Sequence, residues 1–235
     1  MNKDTDFENY LFFSNKEIIL SIFKKNSDEN LYKKRKNIAQ DINLFELDNL
    51  NIFLDENILK AEKNINNFIK DVILVIDLEK FSSIRLSIKK SLQKGFVDSD
   101  NIIHLLNEAK PLSKDTLIGK KIIHMTIEKY ILDGKNYYKI PKNEKGNNFA
   151  IEIKFICLPI DFVKNLEKIF KDFQISIKNI LSANYIQTSF SKNERFDFFL
   201  MTKKLLNDHN ENEIFLVDKT EKNKGFFEKF FAFFD

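Results

Sequence analysis

The residues able to do chemistry are few and scattered. Gly95, Gly119, Gly134, Gly146 and Gly225 are the only glycines among 235 residues, and no two lie close enough to form a loop whose backbone amides surround a phosphate. A nucleotide site of that kind is not expected. His104, His124 and His209 share no metal-ligand spacing with one another or with Cys157, so no metal is expected. Cys157 falls in an apolar stretch, where a thiol acts as a small hydrophobe rather than a nucleophile. No Ser-centred elbow is present. Nothing in the sequence pairs two carboxylates as acid and base. The chain therefore reads as a non-enzyme without a cofactor.

A different chemistry concentrates at the other extreme of polarity. Phe226, Phe227, Phe230, Phe231, Phe233 and Phe234 stand within the last ten residues, and at about 100° per helical residue their rings share an arc of roughly 160°. Glu228, Lys229, Ala232 and Asp235 take the opposite side. An end this apolar needs a surface to cover, either a membrane interface or a groove on a partner. Roughly eighteen mostly polar residues, 207–224, precede it and suit a tether better than a connection inside a compact domain. Lys222, Lys224 and Lys229 are placed to meet anionic headgroups. Glu221, Glu228 and Asp235 nearly cancel them, so the rings must supply most of the affinity. The expected membrane-binding set is those six phenylalanines and three lysines, acting as a reversible anchor.

Composition limits what such an anchor can carry. With 43% hydrophobic residues the chain can build one sizeable core or two small ones. Thirty-eight basic against thirty-five acidic residues leave +3, too balanced for a nucleic-acid footprint, and Lys33-Lys34-Arg35-Lys36 reads as a solvated strand or turn. One cysteine rules out an internal disulfide and fits a reducing compartment. The start is acidic, and no apolar run approaches the ~20 residues of a spanning helix. The expected location is cytoplasmic, with the membrane touched from that side.

The elements that must position these groups follow from periodicity. Tyr10 to Phe13 and Glu17 to Phe23 read as two strands around a Ser14-Asn15-Lys16 turn, with a third strand over 31–40. Apolar positions from Ile52 to Ile69 keep a helical spacing, and Val72 to Ile76 is a continuous run of the kind found in a strand buried on both faces. Ile84, Leu86 and Ile88 alternate with polar residues as in a strand with one wet face. Asp98 and its neighbours cap a helix that Pro111 should end. Strands are expected at 121–132 and 149–158, joined through Asp133-Gly134. A helix capped by Asp161 should follow, with Phe162, Val163, Leu166, Ile169 and Phe170 inward. A strand at 175–181, a short helix over 182–190 and a helix over 196–206 complete the reading. Ile214-Phe215-Leu216-Val217 is an apolar island in the tether that could be a strand or a recognition motif. No internal repeat is visible.

The segment from Lys121 to Gly134 resembles a strand of the bacterial division protein FtsA that reads valine-leucine-His-x-x-Pro-x-x-Tyr-x-x-Asp-Gly. His124, Tyr130, Asp133 and Gly134 match it, and Ile127 replaces the proline. The capped helix upstream, the strand to Leu158, the run from Asp161 to Phe170 and Leu181-Ser-Ala-Asn-Tyr185 follow the family's order. The resemblance runs from about Tyr10 to Phe190. It implies an α/β (α+β) fold: half of an actin-like fold carrying an inserted strand-helix-strand-strand module and a C-terminal amphipathic helix. The implied domains are an actin-like first subdomain at 1–79 and 160–206, the module at 80–159, a linker at 207–224 and the membrane helix at 225–235.

The resemblance also shows departures. The family's first phosphate loop resembles Asp-x-Gly-Thr, and those positions hold Phe12, Ser14 and Asn15 here. The second lobe, with its second phosphate loop and its dock for the FtsZ tail, has no counterpart before the tail. The expected function is a reduced, membrane-peripheral division adaptor without ATPase activity, on the inner face of the cell membrane at the division site. Its partners would be the inner membrane and division proteins, FtsZ or late divisome components among them, with self-association through the module and no nucleic acid. Asp98, Asp100, Asn101, His104, Asn107 and Glu108, on the module's helix, form the expected protein-interaction face. The alternative is an ATP-dependent actin-like filament former or a pilus-assembly scaffold.

Overall fold

The computed structural model describes residues 7–38, 46–92, 95–142, 144–191, 197–207 and 212–216. They form two compact units, one within Met1–Lys80 and Asp161–His209, the other within Phe81–Ile160 and Asn210–Asp235. The molecule is a mixed α/β protein with one sheet in each unit. The order of its parts, a sheet with helices interrupted by a strand-helix-strand-strand run, is the one the resemblance implies. The tail helix expected at 225–235 lies outside the described residues.

The first unit grows from a meander. Strands β1 (Phe7–Ser14), β2 (Glu17–Lys24) and β3 (Asn30–Asn37) pair antiparallel, and β4 (Asp71–Asp77) and β9 (Ser176–Ser182) add in parallel, giving the order β3-β2-β1-β4-β9. Val72 to Ile76 are all buried, which explains why β4 reads as apolar without alternation. Helix α1 (Glu46–Ile65) buries Leu50, Phe53, Leu54, Ile58 and Ala61, and helix α3 (Ile160–Asp172) buries Phe162, Val163, Leu166 and Phe170. Asp161 sits in the first turn of α3, not at its cap. Asn66 and Gln174, at φ 51° and 60°, end the two helices in the left-handed conformation that turns a chain out of a helix. The amides of Asn67 and Ile175 then return to the carbonyls of Glu62 and Phe170 at 3.1 and 3.0 Å.

Helix α4 (Ala183–Thr188) is shorter than the expected 182–190 because Ser182 caps it and Ser189 closes it. Helix α5 (Phe198–Leu206) lies on the sheet face that carries Tyr10 and Phe12. Phe199 packs on Tyr10 at 5.9 Å between centroids, and Phe198 meets Phe12 edge-on at 5.3 Å. Lys203 fixes the helix by pairing with Glu8 at 3.1 Å and donating to the Ser27 carbonyl at 2.9 Å.

The second unit is a sheet of order β10-β6-β8-β5 covered by one helix. Its strands are β5 (Ser82–Ser91), β6 (Lys120–Leu132), β8 (Asn148–Pro159) and β10 (Glu213–Leu216), with β7 (Lys135–Tyr137) paired to β6. Ile151, Ile153, Phe155 and Cys157 alternate onto the core face with Ile102, Leu105 and Leu106 of helix α2 (Ser99–Ser113). Arg85 of β5, Glu128 of β6 and Lys154 of β8 link up across the three strands at 2.6 and 3.2 Å. Helix α2 runs through Pro111 to Ser113, past the expected stop. Proline removes its own amide from the ladder, but the helix continues for only two more residues, and the Lys114 amide reaches the Pro111 carbonyl at 3.4 Å. A four-residue strand, β10, occupies part of the stretch 207–224 that reads in sequence as a polar linker.

Candidate functional site

Of the four residues that the resemblance singles out, His124 and Tyr130 lie on β6 and hold β10 in place. β10 runs antiparallel to β6 with Glu213 opposite Thr126 and Leu216 opposite His124. His124 is wholly buried, and its Nδ1 lies 3.2 Å from the Glu213 carboxylate, itself almost wholly buried. The Tyr130 hydroxyl donates to Asn212 Oδ1 at 3.2 Å. Asn212 also donates its Nδ2 to the Tyr138 carbonyl at 2.8 Å and accepts the Ile127 amide at 2.9 Å. Ile214 completes the packing with no exposed surface, inside the module's core. A buried carboxylate persists only with partners such as these, because an uncompensated buried charge is costly.

Asp133 and Gly134 do a separate job at the end of β6. Their φ values of 47° and 84° suit a two-residue hairpin loop whose twist matches the strands, so Leu132 faces Lys135 directly. The Asp133 carboxylate accepts the amides of Asn147 at 2.9 Å and Asn148 at 2.8 Å, stitching the loop to the start of β8. Those two backbone bonds, Asn147 first, hold its carboxyl below the usual aspartate range. A depressed folded value means the bonds stabilise the fold above the unfolded aspartate value of about 3.9 and are lost as pH falls through the folded one. Asp133→Asn keeps the turn but removes the charge. Urea midpoints measured from about pH 6 down to about pH 3 should therefore fall less steeply for this variant than for the wild type.

The expected interaction face divides on inspection. Asp98 caps α2 by accepting the Asn101 amide at 2.8 Å, and the Asn101 side chain donates to Asp98 and to the Phe96 carbonyl. These two are half-buried and shape the helix start. Asp100, His104, Asn107 and Glu108 are exposed, with His104 Nδ1 3.5 Å from Glu108 one turn on. Phe226, Phe227, Phe230, Phe231, Phe233, Phe234, Lys222, Lys224 and Lys229 all lie outside the described residues. No helix among the described residues is long and apolar enough to cross a membrane.

The carboxyl ends of the parallel strands are where a doubly wound sheet binds nucleotide. Here Ser14, Asp77 and Ser182 stand at those ends, Ser14 opposite Asp77 and Ser182 opposite Ile76. Between β1 and β2 the chain makes a tight turn. Ser14 Oγ accepts the amides of Lys16 at 3.2 Å and Glu17 at 3.0 Å, and lies 3.0 Å from the Glu17 carbonyl to which it donates. Amides used inside the turn cannot also cradle an anion. Ser182 is likewise engaged, capping α4 through the Tyr185 amide at 3.4 Å. Among the described residues no three His, Cys, Asp or Glu side chains gather as a metal site would require. Cys157 is buried in β8, and burial pushes its thiol up to about 11, away from nucleophilic use.

Sequence reasoning left Asn212 and Glu213 unassigned. Their signal was the apolar island beside them, which the structure resolves as a strand rather than a free motif.

No protein-family model and no curated protein matches the chain. Solved structures do share a likeness. The PilM-PilN type IV pilus biogenesis complex has a TM-score of 0.49 at 8% identity, over 76% of this chain and 48% of that one. The cytoplasmic domain of EpsL, an inner membrane component of the type II secretion system of Vibrio cholerae, has a TM-score of 0.37 at 9% identity, over 80% and 59%. A Bacteroides thetaiotaomicron protein described as having an actin-like ATPase fold and unknown function has a TM-score of 0.35 at 14% identity, over 79% and 56%. The chain thus spans roughly half to three-fifths of the length of the solved structures it is similar to.

Proposed function

We propose that this chain is an FtsA-like, membrane-peripheral adaptor that holds its second unit close to the inner face of the cell membrane and does not hydrolyse ATP. The observation that carries the reading is the pairing of β10 with β6. It starts the segment that leads to the phenylalanine tail on the edge of the second unit, held there by His124 and Tyr130 of the recognised motif. Residues 217–225 separate β10 from Phe226, and a chain of that length reaches at most about 35 Å. A tail seated in lipid would therefore keep this unit near the headgroups, with Asp100, His104, Asn107 and Glu108 available to division partners. The self-satisfied Ser14 turn supports a role without nucleotide.

The test is localisation of the tagged full-length chain in dividing cells, together with calorimetry against ATP and magnesium. Enrichment at the membrane of the division site and no heat of ATP binding are expected. Diffuse fluorescence would remove the anchor from the account. Recruitment to a pilus or secretion assembly would replace division with the alternative scaffold role. Micromolar ATP binding would contradict the reading of the Ser14 turn.

A further inference from the structure

The ends of α1 and α3 enclose an apolar groove that no role described so far uses. The second half of α1, the end of α3 and the loop entering β4, where Asn66 and Gln174 turn the chain out of the helices, frame an open depression of about 550 Å³ within the first unit. Leu54, Ile58 and Ile69 form its buried floor, with Phe173 half-buried beside them, whereas Leu59 and Phe68 stand on it 66% and 72% exposed. Leaving two large apolar side chains in water beside an apolar hollow is unfavourable. Such patches, rimmed by polar residues, mark contact surfaces.

The rim has a sign. Asp55, Glu62 and Asp172 line it against the single cation Lys70. Both helices also end there, and helix carboxyl termini carry partial negative charge. Lys63 and Lys171 belong to the same last turns but do not line the groove. The groove lies just before β4 and β9, whose first residues are Asp71 and Ser176. It is therefore at the opposite end of the parallel strands from the position where such sheets take nucleotides. An open trough with exposed walls suits a peptide's apolar face better than a small molecule, which an enclosed pocket would bury.

We propose that this groove is a docking site for a basic amphipathic helix of a partner protein, its apolar residues against Leu59, Phe68 and Phe173 and its lysines or arginines against Asp55, Glu62 and Asp172. All of its lining residues belong to the first unit.

The experiment uses the full chain and two 14-residue helical probes, one of leucine and lysine and one of leucine and glutamate with the same apolar pattern. Fluorescence anisotropy should show the leucine-lysine probe binding the wild type at least tenfold tighter than the leucine-glutamate probe. Leu59→Asp with Phe68→Asp should weaken it at least tenfold, and Asp55→Lys with Asp172→Lys should invert the preference between probes. All four positions are exposed, so the variants should melt like the wild type, and the tail is common to every protein compared. Equal binding of both probes, or binding unaffected by the double substitution at Leu59 and Phe68, overturns the proposal. So does a wild-type dimer in sedimentation that Phe68→Asp dissociates, because a second copy would then be the occupant.

Discussion

A full-length chain carrying Phe227→Asp, Phe230→Asp and Phe231→Asp should lose at least a hundredfold in affinity for vesicles containing anionic lipid, and should stay in the supernatant when they are sedimented. A fully buried ring contributes about 1.5 to 3 kcal/mol, so three half-buried rings together account for roughly 2 to 4 kcal/mol. Each aspartate then adds a charge that an anionic surface repels, at about 1 kcal/mol near the headgroups. Since about 1.4 kcal/mol is tenfold in affinity, two orders of magnitude is a conservative expectation. Salt separates the rings from the lysines. Because acidic residues nearly balance the basic ones through 217–235, raising ionic strength should weaken the wild type by much less than the triple substitution does. If the triple variant sedimented like the wild type, the rings would not be the anchor.

Replacing His124 with leucine should release β10 from β6. Leucine fills much of the imidazole's space but leaves the Glu213 carboxylate, now almost wholly buried against His124, without that partner. Losing one member of a buried ionisable pair costs up to about 3 to 5 kcal/mol. That exceeds what a four-residue strand with a bulge can return through Ile214 and the Asn212 bonds, so the strand is expected to leave rather than the sheet to unfold. Hydrogen exchange is the direct measurement: amides at 213–216 and the Ile127 amide should lose protection while Leu105, Ile151 and Ile153 keep theirs. Glu213→Gln should be much milder, because the amide is neutral and still forms hydrogen bonds. Unchanged protection in His124→Leu would mean that Ile214 and Asn212 hold the strand without the pair. The release also has a functional reading, since the free stretch before Phe226 would begin at Asn207. Its extended limit would then rise from about 35 to about 65 Å.

Much of the architecture could be read locally. Val72 to Ile76 announces a central strand because both of its faces are covered. Ser14-Asn15-Lys16 and Asp133-Gly134 announce turns because their side chains or backbones favour them. The capped start of α2 is equally local, with Asp98 three residues ahead of the amide it accepts. What stayed hidden depends on distant partners. β10 is only four residues long, and its choice of β6 is made by His124 and Tyr130, more than eighty positions earlier. The sequence carries β3 on to residue 40, whereas the strand ends at Asn37, and residues 39 and 40 lie outside the described residues. As an edge strand its four successive basic residues carry little periodic signal, and β2 sets its length by pairing Glu17 with Asn37. The groove could not be foreseen, because it exists only where two helix ends meet. The stop assigned to Pro111 came from a rule about helix interiors applied to a last turn. The strand expected at 121–132 is there as β6, and the work of His124 and Tyr130 on it, holding β10, became visible only in the structure.

The pairing of β5 with β8 bears on how the chain reaches its fold. Leu74 and Ile180 must find one another to join β4 to β9, across roughly 100 residues of chain, and such distant parallel pairings are slow to form. Ser82 and Cys157 are opposite each other in neighbouring strands. Once the intervening sheet has formed, those two points are stapled together and the loop still to be closed shrinks to about 30 residues. Loop-closure entropy falls by about 1 kcal/mol on that account. Everything that makes the staple, from Ser82 to Pro159, leaves the ribosome before β9 does. Synthesis from the amino end thus delivers the late strand to a partner that is already within reach.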